Sequence, residues 1–144
     1  MTLNNYEVPD NLLFDKENYW VRITEGSVQV GLSDYGQRAI GDVLYLEIGE
    51  EGQKLQQGEN FGSIEAGKWV GSLRAPISGT ILVIHKELLA NPSPINKNPY
   101  QTGWLYETDV ADATQLKGMM NAKQYTTWVE EQILLEEQEC QQHE

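Results

Sequence analysis

The residue whose type and position best suit covalent chemistry in this sequence is Lys68, in the segment FGSIEAGKWVGSLR. Strand-like residues at 61–65 and 69–75 predict a β-hairpin with Gly67 and Lys68 at its turn. A glycine there is expected to permit the backbone angles of a tight turn. An exposed lysine is accessible to a modifying enzyme, and acylation removes its charge and lengthens its side chain. The position is compatible with covalent attachment, but surface lysines are common, and a lysine in a turn does not by itself indicate a carrier.

The other reactive side chains form no recognisable catalytic or metal-binding set. The histidines are His85, which follows an apolar strand and is expected to be structural, and His143, near the end of the chain. The single cysteine, Cys140, excludes an intrachain disulfide, and these three residues lack metal-ligand spacing. No glycine-rich loop joins a strand to a helix, so phosphate binding is unsupported. We therefore expect a protein that is not an enzyme by itself.

Composition narrows the classes of partner. The chain has 144 residues, which suits one compact domain, and a formal net charge of −12. So acidic a surface repels nucleic acid and anionic membranes. The charge either attracts a partner with a basic docking face or serves only to keep a small protein soluble. The N-terminus has no signal-peptide pattern, and the longest aliphatic stretch is far too short to span a bilayer. A cytoplasmic location is expected.

Alternating apolar residues predict a mainly β fold. Expected strands cover 20–24, 28–32, 43–48, 54–55, 80–85 and 104–107, in addition to the lysine hairpin. Asp34 is expected to cap a short helix that ends at Gly41. The first dozen residues read as an irregular arm, and 91–99 as a loop. From Asp112 the pattern is helical, with one predicted apolar face made of Tyr125, Trp128, Val129, Ile133 and Leu134.

Four motifs resemble the H protein of the glycine cleavage system and its lipoyl-carrying relatives. They are VGLSDYGQRAIGDVLYLEI, the segment in which Glu65 precedes Lys68 by three residues, APISGTILVIHKELLANPSPIN, and NPYQTGW. The match runs from about Trp20 to Trp128. The resemblance implies a hybrid barrel-sandwich of the lipoyl- and biotinyl-carrier (hammerhead) type with C-terminal helices. It implies lipoic acid attached covalently to Lys68, with Glu65, Gly67 and Trp69 as flanking recognition residues.

The same resemblance sets the expected domain limits and excludes related carriers. Residues 1–18 would form an N-terminal arm, 19–128 the lipoyl-carrier domain with the first C-terminal helices, and 129–144 a polar helical tail. Biotin carriers place their lysine between two methionines, whereas this chain has Gly67 and Trp69. The lipoyl domains of 2-oxoacid dehydrogenases usually have Asp before the lysine, and they lack these flanking motifs.

Three departures from the family pattern bear on the cargo. Glycine-cleavage H proteins usually have Ser at the position of Glu17, Glu at Tyr19 and often Asp at Ser72, and these groups help to hold the amine of the cargo. A polar pocket loses specificity for an amine when its acceptors are removed. The pattern favours a relative recruited to heterodisulfide-reductase-like sulfur oxidation, carrying sulfur intermediates as a swinging arm between enzymes.

The implied partners depend on that assignment. A lipoate ligase or lipoyltransferase would attach the cofactor. The sulfur function implies a heterodisulfide-reductase-like complex, a sulfurtransferase and dihydrolipoamide dehydrogenase. The first alternative is glycine cleavage, in which the arm carries aminomethyl between glycine decarboxylase and aminomethyltransferase. The second alternative is an unmodified binding module with the carrier fold. Trp69 has two interpretations: it packs across the hairpin, or it shields the cofactor and contacts a partner.

Overall fold

The computed structural model describes residues 2–3 and 6–142, so His143 and the side chain of Cys140 lie outside the described part. Within those ranges the chain is mainly β with a long C-terminal helix, as expected. The strands are β1 Thr2–Leu3, β2 Tyr6–Glu7, β3 Leu13–Phe14, β4 Tyr19–Thr24, β5 Ser27–Leu32, β6 Val43–Ile48, β7 Lys54–Leu55, β8 Asn60–Ala66, β9 Val70–Arg74, β10 Gly79–Ile84 and β11 Tyr106–Thr108. The helices are α1 Asp34–Ile40, α2 Glu87–Ala90, α3 Pro94–Lys97, α4 Thr114–Lys117 and α5 Ala122–Gln142.

Two antiparallel sheets share one aliphatic core. The larger has the order β3-β4-β5-β11-β10-β7, and the smaller has the order β6-β8-β9 and carries the lysine hairpin. Their inward side chains, such as Val30 and Ile81 from one sheet and Leu46 and Ile64 from the other, join a single buried cluster. Alternating apolar residues produce this arrangement because successive strand side chains point to opposite faces. The hybrid barrel-sandwich expected from the resemblance is confirmed.

A second, aromatic core fastens the N-terminal residues and α5 to the larger sheet. Val8, Leu12 and Phe14 are buried in it, although an irregular arm was expected there. The Phe14 ring stacks on that of Tyr125 with centroids 4.4 Å apart. The stacking brings a residue of the expected arm against α5, and sequence alternation gave no sign of this contact. The division of the chain at residues 18 and 128 stays a prediction, and residues on both sides of each boundary belong to this aromatic core.

Several local expectations need correction. Ser33, not Asp34, caps α1, because its hydroxyl accepts a hydrogen bond from the Gly36 N–H at 3.0 Å. The stretch 91–99 contains α3, and the last strand is β11 rather than 104–107. Leu134 is 57% exposed, so the expected apolar face of α5 is wrong at that residue. No helix in the described ranges is long and apolar enough to cross a bilayer.

Candidate functional site

The expected hairpin is confirmed, with Gly67 and Lys68 at its tip. The Ala66 N–H donates to the Trp69 carbonyl at 2.9 Å and closes the turn, and Glu65 pairs with Val70 in the adjacent register position. Lys68 is exposed, and its ammonium has no hydrogen bond or ion pair to any residue in the described ranges. The tip therefore presents a lysine amine that solvent and a modifying enzyme can reach.

The reason expected for Gly67 is wrong. Its φ is not positive, and a Cβ added there would meet only the Asp42 backbone nitrogen, at 3.9 Å. The conformational demand falls instead on Gly41, which has φ 81° and ψ −168°, a region populated almost only by glycine. A Cβ on Gly41 would lie 3.2 Å from Cγ of Lys68. Gly41 therefore gives the lysine stem room to lie against the end of α1, a role that its position after the helix did not reveal.

Backbone hydrogen bonds attach the hairpin tip to the connection between α1 and β6. The Gly67 N–H donates to the Asp42 carbonyl at 2.9 Å, and the Lys68 N–H donates to the Ile40 carbonyl at 2.8 Å. Both donors belong to turn residues that lack partners within the hairpin ladder. Because backbone N–H groups are costly to leave unpaired, these bonds restrain the tip. Lys68 is therefore held on a supported turn.

Asn96 in turn supports the connection that holds the tip. Its side-chain amide donates to the Gly41 carbonyl at 3.0 Å, and its side-chain oxygen accepts from the Val43 N–H at 2.9 Å. The same amide donates to the Gln37 side-chain oxygen at 2.8 Å. One side chain thus fixes the backbone on both sides of Asp42. Sequence reasoning placed Asn96 in a loop and missed this role, since the contacts join residues more than 50 positions apart.

The two faces of the hairpin carry different groups. Glu65 shares one face with its cross-strand partners Tyr45 and Val70, and all three side chains are exposed. This set is called the outer face below. Trp69 lies on the opposite face, where its ring occupies the space beside the bare backbone of Gly71. This contact with Gly71 of the same strand does not test whether Trp69 also packs on the neighbouring strand, so both interpretations of Trp69 stay predictions.

A cleft of about 500 Å³ opens beside Lys68 along the unpaired edge of β9, and Trp69 is among its lining residues. This side of the hairpin is called the cleft face below. One wall is the β9 side, from Lys68 to Arg74, and the other consists of residues 17–19 and α1. The lining is Glu17, Asn18, Tyr19, Leu32, Gly36, Ala39, Ile40, Ile64, Lys68, Trp69, Ser72, Leu73 and Arg74. The cleft thus combines an apolar interior with one carboxylate among its described lining residues. Its volume suits a side-chain-sized group attached at the lysine.

The three positions at which the sequence departs from the family pattern all line this cleft. Tyr19 is buried, and its hydroxyl accepts a hydrogen bond from the Arg74 N–H at 2.9 Å. Burial raises the pKa of Tyr19 well above its ordinary value, so the phenol stays neutral. The Ser72 hydroxyl accepts from the Asn60 side chain at 3.2 Å. Glu17 is exposed at the rim and is the carboxylate of the described lining.

A turn built on Asp15 positions Glu17 and the residues that follow it. One Asp15 carboxylate oxygen accepts from the Glu17 N–H at 3.0 Å and from the Tyr19 N–H at 2.9 Å. Burial is the main reason that the pKa of Asp15 rises to about 6, and the two N–H donors partly offset it. The carboxylate therefore holds this cleft wall but is costly to keep ionised.

Asn18 and Tyr125 connect the same wall to α5. Asn18 has φ 70°, a left-handed conformation that asparagine tolerates better than most residues. The Tyr125 hydroxyl donates to the Asn18 side-chain oxygen at 2.8 Å and lies 2.6 Å from the Ser33 hydroxyl. A Cβ on Gly36 would come within 2.7 Å of the Asn18 Cβ, so α1 approaches this turn closely. The C-terminal helix thus helps to hold the cleft wall opposite Lys68.

Comparison with known proteins identifies the family. The profile of the glycine cleavage H-protein family matches residues 12–132. The chain belongs to the glycine cleavage H-protein family. The match begins within the segment expected to be an arm, which agrees with the burial of Leu12 and Phe14.

Individual members of the H-protein family cover most of the chain. The glycine cleavage system H protein of Staphylococcus saprophyticus is 35% identical over 124 residues, covering 86% of this chain and 98% of that protein. Glycine cleavage system H protein 4 of Aquifex aeolicus is 33% identical over 137 residues, covering 95% of this chain and 80% of that protein. A crystal structure of the H protein from Mycobacterium marinum has 27% identity and a TM-score of 0.77, covering 84% of this chain and 98% of that chain.

Membership in the H-protein family identifies the cofactor. H proteins carry lipoate attached covalently to a lysine and are carriers rather than enzymes. The family interacts with glycine decarboxylase, aminomethyltransferase and lipoyl-modifying enzymes. These comparisons favour glycine cleavage over the sulfur-oxidation function expected from the sequence.

Proposed function

We propose that this H-protein family member carries lipoate on Lys68 and shuttles the aminomethyl cargo of glycine cleavage between its partner enzymes. The observation that carries the proposal is the position of Lys68, exposed on a supported hairpin tip beside the cleft. Glu65 and Gly67 are proposed as flanking recognition residues, and Trp69 as a residue that contacts the attached cofactor. The partners are a lipoate ligase or lipoyltransferase, glycine decarboxylase and aminomethyltransferase, and the proposed location is the cytoplasm.

The residues around Lys68 fit a lipoyl group. The lysine amine is free for amide formation, because no described residue binds it. The adjoining cleft of about 500 Å³ is larger than an acyl chain of this size requires, and its lining includes Ile40, Ile64 and Leu73. When bound, lipoate supplies a cyclic disulfide on a flexible tether that opens to a dithiol and accepts a group on sulfur. The chain itself supplies attachment, presentation and shelter.

Glu17 is the group best placed to hold an ammonium in the cleft. The acid that the family usually has at position 19 is replaced by Tyr19, whose hydroxyl accepts from the Arg74 backbone. Glu17 lies two residues earlier and lines the same cleft. A carboxylate beside an ammonium gives a charge-assisted hydrogen bond. We propose that Glu17 supplies the amine acceptor in place of the acid missing at position 19.

Loading of lipoylated protein with glycine and glycine decarboxylase tests this function. The parent protein is expected to accept aminomethyl, detected as a mass increment on the Lys68 peptide. Glu17→Gln keeps the size of the side chain but loses its charge, and is expected to weaken retention of the cargo about ten-fold. Glu25→Gln, an exposed acid in the turn between β4 and β5, is the control of equal charge change. Failure of the parent protein to load would contradict the glycine function.

Sulfur transfer remains the second candidate because the cleft has only one described carboxylate. A sulfane-sulfur cargo has no ammonium group. The absence of the acids that the family usually has at positions 19 and 72 would therefore not weaken binding of that cargo. On this proposal the partners are a sulfurtransferase, a heterodisulfide-reductase-like complex and dihydrolipoamide dehydrogenase. A competent sulfurtransferase reaction, together with failure to load aminomethyl, would establish it. Efficient aminomethyl loading would rule it out.

The third possibility, an unmodified binding module, is tested by the mass of the protein from its native host. A lipoyl increment on the Lys68 peptide excludes this possibility. A bare Lys68, with Lys68→Arg behaving like the parent protein, would establish it.

A further inference from the structure

Trp69 occupies an unusual position for a large apolar side chain. Its ring lies so close to Gly71 that a Cβ on that residue would collide with it, with Cη2 only 2.6 Å away. Gly71 therefore creates the space that the indole fills. The ring remains 43% exposed even though it lines the cleft beside Lys68. The unmodified protein thus leaves apolar surface in contact with water at the point where the attached chain must begin.

The geometry of the cleft brings an attached chain past this ring. Gly41 lies against the Lys68 stem on the α1 side, and Trp69 lines the same cleft on the β9 side. A fully extended acylated lysine spans about 14 Å from its Cα, from bond lengths near 1.5 Å. Four residues along a strand cover about 13 Å. A chain that folds back along β9 therefore reaches from Lys68 as far as Ser72 and passes the indole.

We propose that Trp69 is a positioning residue whose indole holds the resting lipoyl arm inside the cleft. This inference rests on the proposed attachment of lipoate to Lys68. The ring gains favourable contact by covering its exposed surface with the apolar chain, and sulfur beside an aromatic ring adds to that contact. Trp69 thereby lowers the exposure of the cyclic disulfide until a docked enzyme draws the arm out. Gly71 is required because a side chain there displaces the indole.

The residue after Trp69 provides a matched control for the test. Val70 is similarly near Lys68 and 70% exposed, but it is not among the described residues that line the cleft. Val70→Ala removes apolar surface next to the lysine without changing the cleft. Trp69→Ala removes the ring, and Trp69→Phe leaves a smaller ring. Gly71→Ala keeps Trp69 but displaces its indole ring, because the added Cβ takes the space that the ring fills.

The first measurement is the rate at which a water-soluble phosphine reduces the disulfide of the holoprotein. Lipoylation of each variant at Lys68 is first verified by peptide mass, and folding by its thermal transition. Trp69→Ala and Gly71→Ala are expected to raise the reduction rate about two- to ten-fold. Trp69→Phe is expected to give an intermediate rate, and Val70→Ala the parent rate. Equal rates for all variants, or an equal increase in Val70→Ala, would overturn the inference.

Tryptophan emission gives a second measurement that is independent of reactivity. A disulfide in contact with an indole quenches its fluorescence, so lipoylated protein is expected to emit less than unlipoylated Lys68→Arg. The difference is expected to persist in Val70→Ala and disappear in Trp69→Phe, although three other tryptophans remain. A difference that survives Trp69→Phe would overturn the positioning role and leave the attachment intact. A Lys68 peptide without lipoate would instead overturn the proposed function and the inference with it.

Discussion

The outer face of the lysine hairpin and its cleft face differ in both composition and surroundings. Tyr45, Glu65 and Val70 on the outer face are exposed. On the cleft face, Trp69 looks onto a wall held by α1 and by the Asp15 turn. On the proposals made above, one strand pair separates two tasks. The outer face would present the lysine to enzymes that recognise it, and the cleft face would shelter the attached group.

The largest change in stability is expected at Gly41, in the connection that supports Lys68, rather than on either face of the hairpin. Gly41→Ala forces a side chain into a backbone region that only glycine populates readily and against the Lys68 stem, so it is expected to lower the free energy of unfolding by about 3 kcal/mol. Gly67→Ala is the control, because nothing lies closer than 3.9 Å to its added Cβ. It is expected to change stability by less than about 0.5 kcal/mol. Chemical denaturation of both variants measures the difference, and comparable losses would contradict the assigned role of Gly41.

The next largest effect is the pH dependence that Asp15, in the cleft wall, gives to the free energy of unfolding. The pKa of Asp15 rises from 3.8 to about 6 on folding, so the folded state binds this proton more tightly than the unfolded state. The contribution of Asp15 to stability is therefore complete below pH 3.8 and is lost as the pH rises through about 6. Asp15→Asn keeps an oxygen for both N–H donors without the charge. Relative to this variant, the parent protein is expected to lose about 2 kcal/mol between pH 4 and 7.

Denaturation of both proteins across this pH range isolates Asp15 from the other carboxyl groups, which the variant retains. A stability difference that stays constant from pH 4 to 7 would contradict the assigned burial of this carboxylate in the cleft wall.

The smallest expected effect is on the rate of enzymatic lipoylation. It separates recognition of the hairpin by the modifying enzyme from shelter of the attached arm. Glu65→Ala removes the exposed outer-face carboxylate and is expected to slow enzymatic lipoylation about ten-fold, the size of a lost charged hydrogen bond to the modifying enzyme. Glu25→Ala, an equal change of charge far from the hairpin along the chain, is expected to leave the rate unchanged. Trp69→Ala is expected to change lipoylation little, because it acts on the attached arm. The two-face comparison would fail if Trp69→Ala slowed attachment as much as Glu65→Ala did.

Local sequence patterns were sufficient to predict most of the strands and the hairpin. Alternation placed β4, β5 and β6 correctly because each strand buries one row of side chains. Glycine and lysine between two strand-like runs placed the turn. The reason given for Gly67 was nevertheless wrong, because a turn containing glycine need not use a positive φ. The residue that does need it, Gly41, is 26 positions away and had been interpreted only as the end of a helix.

Long-range contacts account for what sequence reasoning could not predict. Asn96 supports the hairpin connection through bonds to residues more than 50 positions away, and Phe14 meets Tyr125 across more than 100. Neither contact leaves a periodic signal in the chain. The departures at positions 17, 19 and 72 were noticed, and the structure adds that all three residues line one cleft. The sequence shows that Glu17 is the carboxylate among them, but its place in the cleft depended on the fold.

Peptide mass mapping of the protein purified from its native host tests the central claim most directly. The Lys68 peptide is expected to carry one lipoyl group in an amide to the side-chain nitrogen, and Lys68→Arg expressed in the same host is expected to carry none. An unmodified Lys68 peptide throughout, or a lipoyl group on any other lysine, would contradict the account.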